Sequence, residues 1–279
     1  MPLIFVPTPL GNLRDVTLRA RDALRDAALI VAEDTRVARK LLHALELSGR
    51  EIWSYREQNA ASATPAILER ARTATVAVTS DAGMPGISDP GSALIAAARD
   101  AGVPVEVLPG PSAALGVALL SGFDLRRFEF EGFPPRGAAA RRERFAAALR
   151  TGITTIWYES PRRLRASLAD LAQVAPDARL FVVREYTKLH EQHLWGTPRE
   201  VLAALPEPIR GEVAFAIAPY AIEPDPPAAE EAGAAIDALL ASGRRVGEVA
   251  KLLAARGFGE RRQLYARAAA RKARREPSS

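Results

Sequence analysis

The chain of 279 residues is about twice the usual single-domain length, and its 48% hydrophobic and 25% charged content is that of a globular protein with room for large cores. It has no cysteine, which excludes disulfides and thiolate metal sites. Its apolar runs, the N-terminal Met1–Pro7 included, are too short for a signal peptide or a membrane span, so a cytoplasmic location is expected. The net charge of +5 is uneven: residues 241–279 hold eleven Lys/Arg against three acids, and the other 240 residues sum to −3. A basic tail on a nearly neutral body points to an anionic polymer as partner, nucleic acid first.

In chain order, Leu3–Pro7 reads as a short apolar strand, and Thr17 can cap a helix presenting Leu18, Leu24 and Ala27 on one side. Leu29–Ala32 is a second strand, followed by a helix marked by Val37, Leu41 and Ala44/Leu45 that ends near Ser48-Gly49. Glu51–Tyr55 is a third strand. Thr64-Pro65, an N-cap followed by proline, predicts a helix over Ala66–Arg72. Thr75–Thr79 (strand), Ser92–Ala101 (helix closed by Gly102), Val103–Leu108 (strand) and Ser112–Leu120 (helix) complete a βα rhythm that implies a largely parallel sheet covered on both faces. This is the α/β N-terminal domain, residues 1–122.

A change of domain is expected between Gly122 and about Pro135. Beyond it come Ala138–Leu149 (helix), Ile153–Tyr158 (strand), Pro161–Val174 (helix) and Leu180–Arg184 (strand). Tyr186–Leu189 and Gln192–Trp195 read as a strand pair, Thr197-Pro198 as a helix cap and Glu212–Ala218 as a last strand, giving an α+β domain over 123–222. The proline-rich Glu223–Pro227 is a linker. Residues 228–279 then form a basic helical module with helices at about 229–241, 245–255 and 260–272. Val246, Val249/Ala250 and Leu253 share one helix face, Leu264, Tyr265 and Ala268 another, and Gly257-Phe258-Gly259 is the turn of a helix-turn-helix-like unit.

Open α/β sheets bind ligands beyond the carboxyl ends of their strands. Four loops lie there: Pro7–Asn12, Ser80–Asp89 and Pro109–Ala113 combine Gly or Pro with small polar residues, and Glu33–Arg36 is polar and charged. Four such loops at one end of one sheet make a pocket a better reading than four ordinary turns. A dinucleotide fingerprint and a P-loop are both missing from the sequence. His190-Glu191-Gln192-His193 on an extended segment would aim its histidines to opposite faces, so no metal is expected. Gly110-Pro111-Ser112-Ala113-Ala114 resembles a nucleophile elbow, but Pro111 and Ala114 crowd that turn, so Ser112 reads as a helix cap beside a ligand.

Several stretches carry a resemblance. Val6–Leu13, Ala32–Arg36, Ser80–Pro85 with Asp89-Pro90-Gly91, Pro109–Ala113, Glu131-Gly132-Phe133, Tyr158-Glu159-Ser160, Arg184-Glu185 with Thr187-Lys188, and Gly211-Glu212 run in order across residues 3–219. Together they are similar to the small-subunit ribosomal RNA methyltransferase I family of the tetrapyrrole methylase superfamily, with Met84 where that family commonly has Thr. The resemblance implies a two-domain tetrapyrrole-methylase-like α/β fold, S-adenosylmethionine as cofactor, and a homodimer. It implies 2′-O-methylation of a cytidine in the decoding region of 16S ribosomal RNA, with the small ribosomal subunit as partner. It further implies that Asp81, Ala82, Gly83, Met84, Pro85, Ser112, Ala113, Tyr158 and Ala218 surround the cofactor. On the acceptor side, Asn12, Glu33 and Asp34 are the catalytic candidates, while Arg36, Lys188, Arg261 and Arg262 are the RNA-binding ones. Two other classes stay open at this point: a superfamily methyltransferase acting on a small tetrapyrrole or other substrate, and a non-enzymatic RNA-binding protein.

Overall fold

The computed structural model describes residues 2–220 and 229–275. The expected linker Glu223–Pro227 lies outside them. The chain forms two compact units that divide after Tyr220.

The first unit contains two five-stranded sheets. Strands β1 (Leu3–Phe5), β2 (Leu29–Ala32), β3 (Ile52–Ser54), β4 (Val76–Thr79) and β5 (Val105–Val107) form a wholly parallel sheet in the order β3-β2-β4-β1-β5. β2 and β4 are buried along their full length, which requires cover on both faces. The strand alternation provides it. Leu3, Phe5, Leu29, Val31, Val76 and Val78 point to one face, against Ile67 and Ala71 of α3 (Ala60–Thr73) and Leu94 and Ala98 of α4 (Gly91–Asp100). Ile30 and Ala77 point to the other, against Ala20 and Leu24 of α1 (Leu18–Asp26) and Leu42 of α2 (Thr35–Ala44). Thr17 caps α1 as expected, its Oγ1 accepting the Ala20 N–H at 3.0 Å.

One expected boundary moves. α3 begins at Ala60, nearly two turns before the predicted start at Ala66, and carries Pro65 inside it. Asn59 organises the earlier start, accepting the Arg56 N–H and donating to the Ser54 carbonyl. The Thr64 hydroxyl, read as a cap, instead donates back to the Ala60 carbonyl at 2.7 Å.

The second sheet is mixed, in the order β6-β7-β10-β8-β9, built from β6 (Phe128–Gly132), β7 (Thr154–Glu159), β8 (Leu180–Arg184), β9 (Gln192–Gly196) and β10 (Val213–Ile217). Only β6 and β7 run parallel. β6 falls in the stretch read as a domain change; it is a half-exposed edge strand whose Phe-Glu-Phe-Glu alternation carries a weak signal. Tyr186–Leu189 is no strand. Left-handed backbone at Glu185 (φ 52°) and Thr187 (φ 67°) turns the chain, and β9 pairs with β8 instead. On one face of this sheet Trp157 stacks on Phe215 at 6.2 Å and meets Phe145 of α6 (Ala138–Leu149) edge-on. The other face, with Ile156, Phe181, Ala214 and Ala216, is covered by Ala114, Val117 and Ala118 of α5 (Ala113–Ser121). Chain order groups α5 with the first sheet, yet its apolar side packs on the second. α7 (Pro161–Val174) and α8 (Pro198–Ala204) complete the unit.

The second unit comprises α9 (Ala229–Ala241), α10 (Val246–Ala255) and α11 (Arg261–Arg275) around Ile236, Val249, Ala250, Leu253, Leu264 and Ala268. Leu264 and Ala268 are buried as their spacing predicts. Tyr265, expected on the same face, is 53% exposed: one residue on from Leu264 is a 100° rotation, enough to carry it off the core stripe. No helix among the described residues is long and apolar enough to cross a membrane.

Candidate active site

Because β1, β2, β4 and β5 run parallel, the four loops singled out in the sequence emerge at one end of the first sheet. They border a cavity of about 470 Å³, within the roughly 300–1,000 Å³ typical of small-molecule sites. The carboxyl end of β7, the amino end of β10 and the start of α5 close it from the second sheet.

The Ser80–Met84 loop forms one wall. Gly83 adopts φ +79°, and its N–H and C=O exchange hydrogen bonds with Thr8 at 3.0 Å, tying the first and fourth strand loops together. A side chain there would need a left-handed backbone, and its β-carbon would stand 2.9 Å from Leu10 Cδ2. Ser80 Oγ donates to the Gly83 carbonyl and closes the loop on itself. Ser112 caps α5, as the sequence suggests. Tyr158 sits with Phe130 and Phe133 edge-on to its ring, and its hydroxyl accepts the Ala114 N–H at 3.1 Å. Burial holds that phenol above its ordinary pKa, so it is neutral.

Of the residues expected around the cofactor, Asp81, Ala82, Gly83, Met84, Ser112, Ala113 and Tyr158 line this cavity. Pro85 and Ala218 do not. Pro85 faces a small space behind the loop, with Val31 and Tyr55. Ala218 follows the far end of β10, where it donates to the Arg179 carbonyl. Ala214, on the same face of the strand, is the residue at the cavity, and four residues of strand separate the two by about 13 Å. The face was legible from alternation, but the end of the strand was not. Leu10, Asp89, Phe133, Tyr186 and Glu212 also line the cavity. Leu10, Asp89, Phe133 and Glu212 stand in stretches that carry the resemblance, whereas no local signal marks Tyr186.

The acceptor-side candidates separate. Glu33 lines the cavity, and among the described residues no hydrogen bond reaches its carboxylate. Burial, reinforced by Asp81 and Asp89, raises its pKa. Asp34 caps α2 through the Arg36 N–H at 2.8 Å and pairs with the Arg36 guanidinium. These contacts hold its carboxyl well below the usual range. Its own N–H donates to Asp81 Oδ1 at 2.9 Å, which braces one loop on the other. Asn12 does not line the cavity; its side chain accepts the Arg14 N–H in the turn at Leu13–Asp15. Arg36 and Lys188 both have carboxylate partners. Lys188 Nζ donates to Glu185 at 2.8 Å and Glu212 at 2.9 Å, and its alkyl chain leaves room only for glycine at position 11. Burial works against its charge, but the two carboxylates raise its pKa above the ordinary value. Arg261 and Arg262 are exposed at the start of α11 in the second unit.

The cavity therefore presents acids (Glu33, Asp81, Asp89, Glu212), an aromatic flank and small side chains beside open backbone. That donor set fits a ligand with a positive centre and a flat heteroaromatic ring. Both features belong to S-adenosylmethionine.

Comparison with known proteins bears on the same residues. The family profile described as Tetrapyrrole (Corrin/Porphyrin) Methylases matches residues 2–203. A protein named ribosomal RNA small subunit methyltransferase I from Micromonospora olivasterospora is 41% identical over 219 residues, 77% of this chain and 70% of the relative. Its namesake from Mycobacterium tuberculosis is 40% identical over 269 residues, 94% of this chain and 93% of the relative. Among solved structures, a uroporphyrin-III C-methyl transferase from Thermus thermophilus, complexed with S-adenyl homocysteine, has a TM-score of 0.56 at 19% identity, covering 78% of this chain and 97% of that one; at that identity the likeness speaks for the fold alone. The chain belongs to the tetrapyrrole (corrin/porphyrin) methylase family and is an S-adenosylmethionine-dependent methyltransferase.

Proposed function

We propose that this methyltransferase modifies ribosomal RNA, at the 2′-hydroxyl of a cytidine in the decoding region of the 16S molecule. The observation that carries the substrate is the 40% identity, over 94% of the chain, to a relative named for the small-subunit ribosomal RNA. The basic second unit agrees, since an RNA substrate needs cations that a small tetrapyrrole does not. In this reading the chain works in three parts: 1–122 supplies the cofactor loops, 123–222 closes the cavity, and 228–279 engages RNA. This reading includes a cytoplasmic location for the reaction.

Asp81, Ala82, Gly83, Met84, Ser112, Ala113 and Tyr158 would hold S-adenosylmethionine, with Pro85 shaping their loop from behind. When bound, it supplies a methyl group on an electrophilic sulfonium. The chain's own contribution is to orient the acceptor and to take its proton. Glu33 is the general base in this reading: it alone of the three acceptor-side candidates reaches the cavity, and its carboxylate is unoccupied by hydrogen bonds among the described residues. Its raised pKa makes it a better proton acceptor than Asp34. Asp34 and Asn12 position the surrounding loops. Arg36, Lys188, Arg261 and Arg262 face the RNA, the first two within ion pairs that RNA phosphate would have to share.

A homodimer is part of the proposal. Leu115 and Leu119 of α5 are 59% and 75% exposed, and Trp195 on the edge strand β9 lies near the end of that helix. These exposed apolar side chains support that reading.

Incubation with labelled S-adenosylmethionine and small ribosomal subunits, naked ribosomal RNA or a tetrapyrrole tests the substrate. Label on a ribose of the small-subunit RNA is expected; label on the tetrapyrrole alone would overturn the proposal.

A further inference from the structure

Tyr265, the single aromatic residue in the sequence of α11, lies off the core of its unit. It is 53% exposed, while its neighbours Leu264 and Ala268 are buried. Arg261 and Arg262 precede it by four and three residues, a spacing that puts all three on adjoining parts of one helix surface. Across the turn, the ring edge lies beside Gly247 of α10: a β-carbon on Gly247 would stand 3.9 Å from Tyr265 Cε2. That contact brings the exposed Arg244 and Arg245, which immediately precede α10, to the same side of the unit. None of these four arginines is paired with a carboxylate among the described residues. A half-exposed aromatic ring among four unpartnered guanidinium groups combines a stacking surface with phosphate partners.

We infer that Tyr265 is a base-stacking platform and that, with Arg244, Arg245, Arg261 and Arg262, it makes the second unit a binding site for single-stranded RNA. The occupant follows from the chemistry. Four unpartnered cations select a polyanion, and a ring face can be used only by a base that is not already stacked in a duplex. The guanidinium groups hold phosphates while the ring takes one base without reading its identity, so the site has little sequence preference. This inference rests on the reading of the substrate as RNA and adds to it a strand state and a contact residue.

The test uses the full chain and a short fluorescein-labelled single-stranded RNA, read by fluorescence anisotropy over a range of salt concentrations, with the matching duplex alongside. Tyr265→Ala and Tyr265→Leu should each weaken single-strand binding by about 5- to 100-fold. Tyr265→Phe should stay within about twofold of the parent. Leucine keeps apolar bulk and removes the π face, so a loss in Tyr265→Leu with unchanged thermal unfolding separates stacking from packing. Replacing Arg261 and Arg262 by Gln should lower the slope of log affinity against log salt by about 1.4, whereas Tyr265→Leu should leave the slope alone. Unchanged single-strand binding by Tyr265→Leu, or equal losses on single strand and duplex, overturns the inference. Parent protein that binds the strand but transfers no methyl to ribosomal RNA overturns the substrate reading while supporting this one.

Discussion

Two sets of arginines, one in each unit, are used in opposite ways, although the second unit also holds the Arg271–Asp237 pair. In the first set, guanidinium groups are internal struts. Arg141 is buried against Asp170 and also holds the Pro135 and Arg136 carbonyls, Arg142 shares Asp170, Arg163 reaches Glu159, and Arg144 pairs with Glu131. In the second, Arg244, Arg245, Arg261 and Arg262 have no carboxylate partner among the described residues. The side chain is the same; the difference is whether an acid lies within reach. A partnered charge fixes the protein's own shape, whereas an unpartnered one remains available to a ligand. Net charge counts both alike, which makes it a poor guide to where an anionic substrate binds.

The contrast extends to the acids of the site, and there the largest effect is expected. Glu33→Gln should slow single-turnover methyl transfer by about 10²–10⁴-fold. Asp34→Asn should cost under about tenfold, since Asp34 is already committed to Arg36. Equal losses from the two would erase the distinction between partnered and unpartnered groups.

On the structural side, Arg141→Met leaves Asp170 buried with only Arg142 to meet it. Asp170 is held below the usual carboxylate pKa despite its burial, by hydrogen bonds from Arg142 and Arg141. Urea denaturation should show a loss of up to roughly 3–5 kcal/mol, most of it recovered when Asp170→Leu is added. A loss under 1 kcal/mol would mean that Arg141 is no strut.

Acidity sharpens the comparison further. Burial first, then Asp81 and Asp89, raise the Glu33 pKa above its ordinary 4.5. A base must be ionised, so methyl transfer should fall as pH drops through that raised value, and Asp81→Asn should move the acid limb to lower pH. For stability the sign is the reverse of the usual carboxylate. The contribution of Glu33 is fully present below its unfolded pKa and is lost as pH rises through the raised folded one. An acid limb that ignores Asp81→Asn would remove Glu33 from the role.

The smallest effect concerns RNA affinity. Arg261→Gln should lower the salt slope of binding by about 0.7, and Arg36→Gln should change it by less than half of that, because Arg36 is already neutralised by Asp34. Equal slopes would show that RNA breaks the Asp34–Arg36 pair on binding.

Much of this was legible in the amino-acid order. Alternating apolar strands with capped helices specified the parallel sheet, and Gly/Pro-rich loops after β1, β4 and β5 with the polar loop after β2 specified one end of it as the ligand end, because parallel strands deliver all their carboxyl ends to the same side. The stripe of Val249, Leu253, Leu264 and Ala268 specified a packed helical module. Tertiary structure alone decided the rest. It moved α5 onto the second sheet, made a turn of Tyr186–Leu189, put Ala214 rather than Ala218 at the cavity, and turned Tyr265 outward. Above all, it parted Glu33 from Asp34 and Arg36 from Arg261. Periodicity encodes which face of an element is buried, a local property. Whether a charge meets its opposite depends on residues far away in sequence, such as Asp81 beside Glu33 and Glu212 beside Lys188, and only the folded chain brings those together.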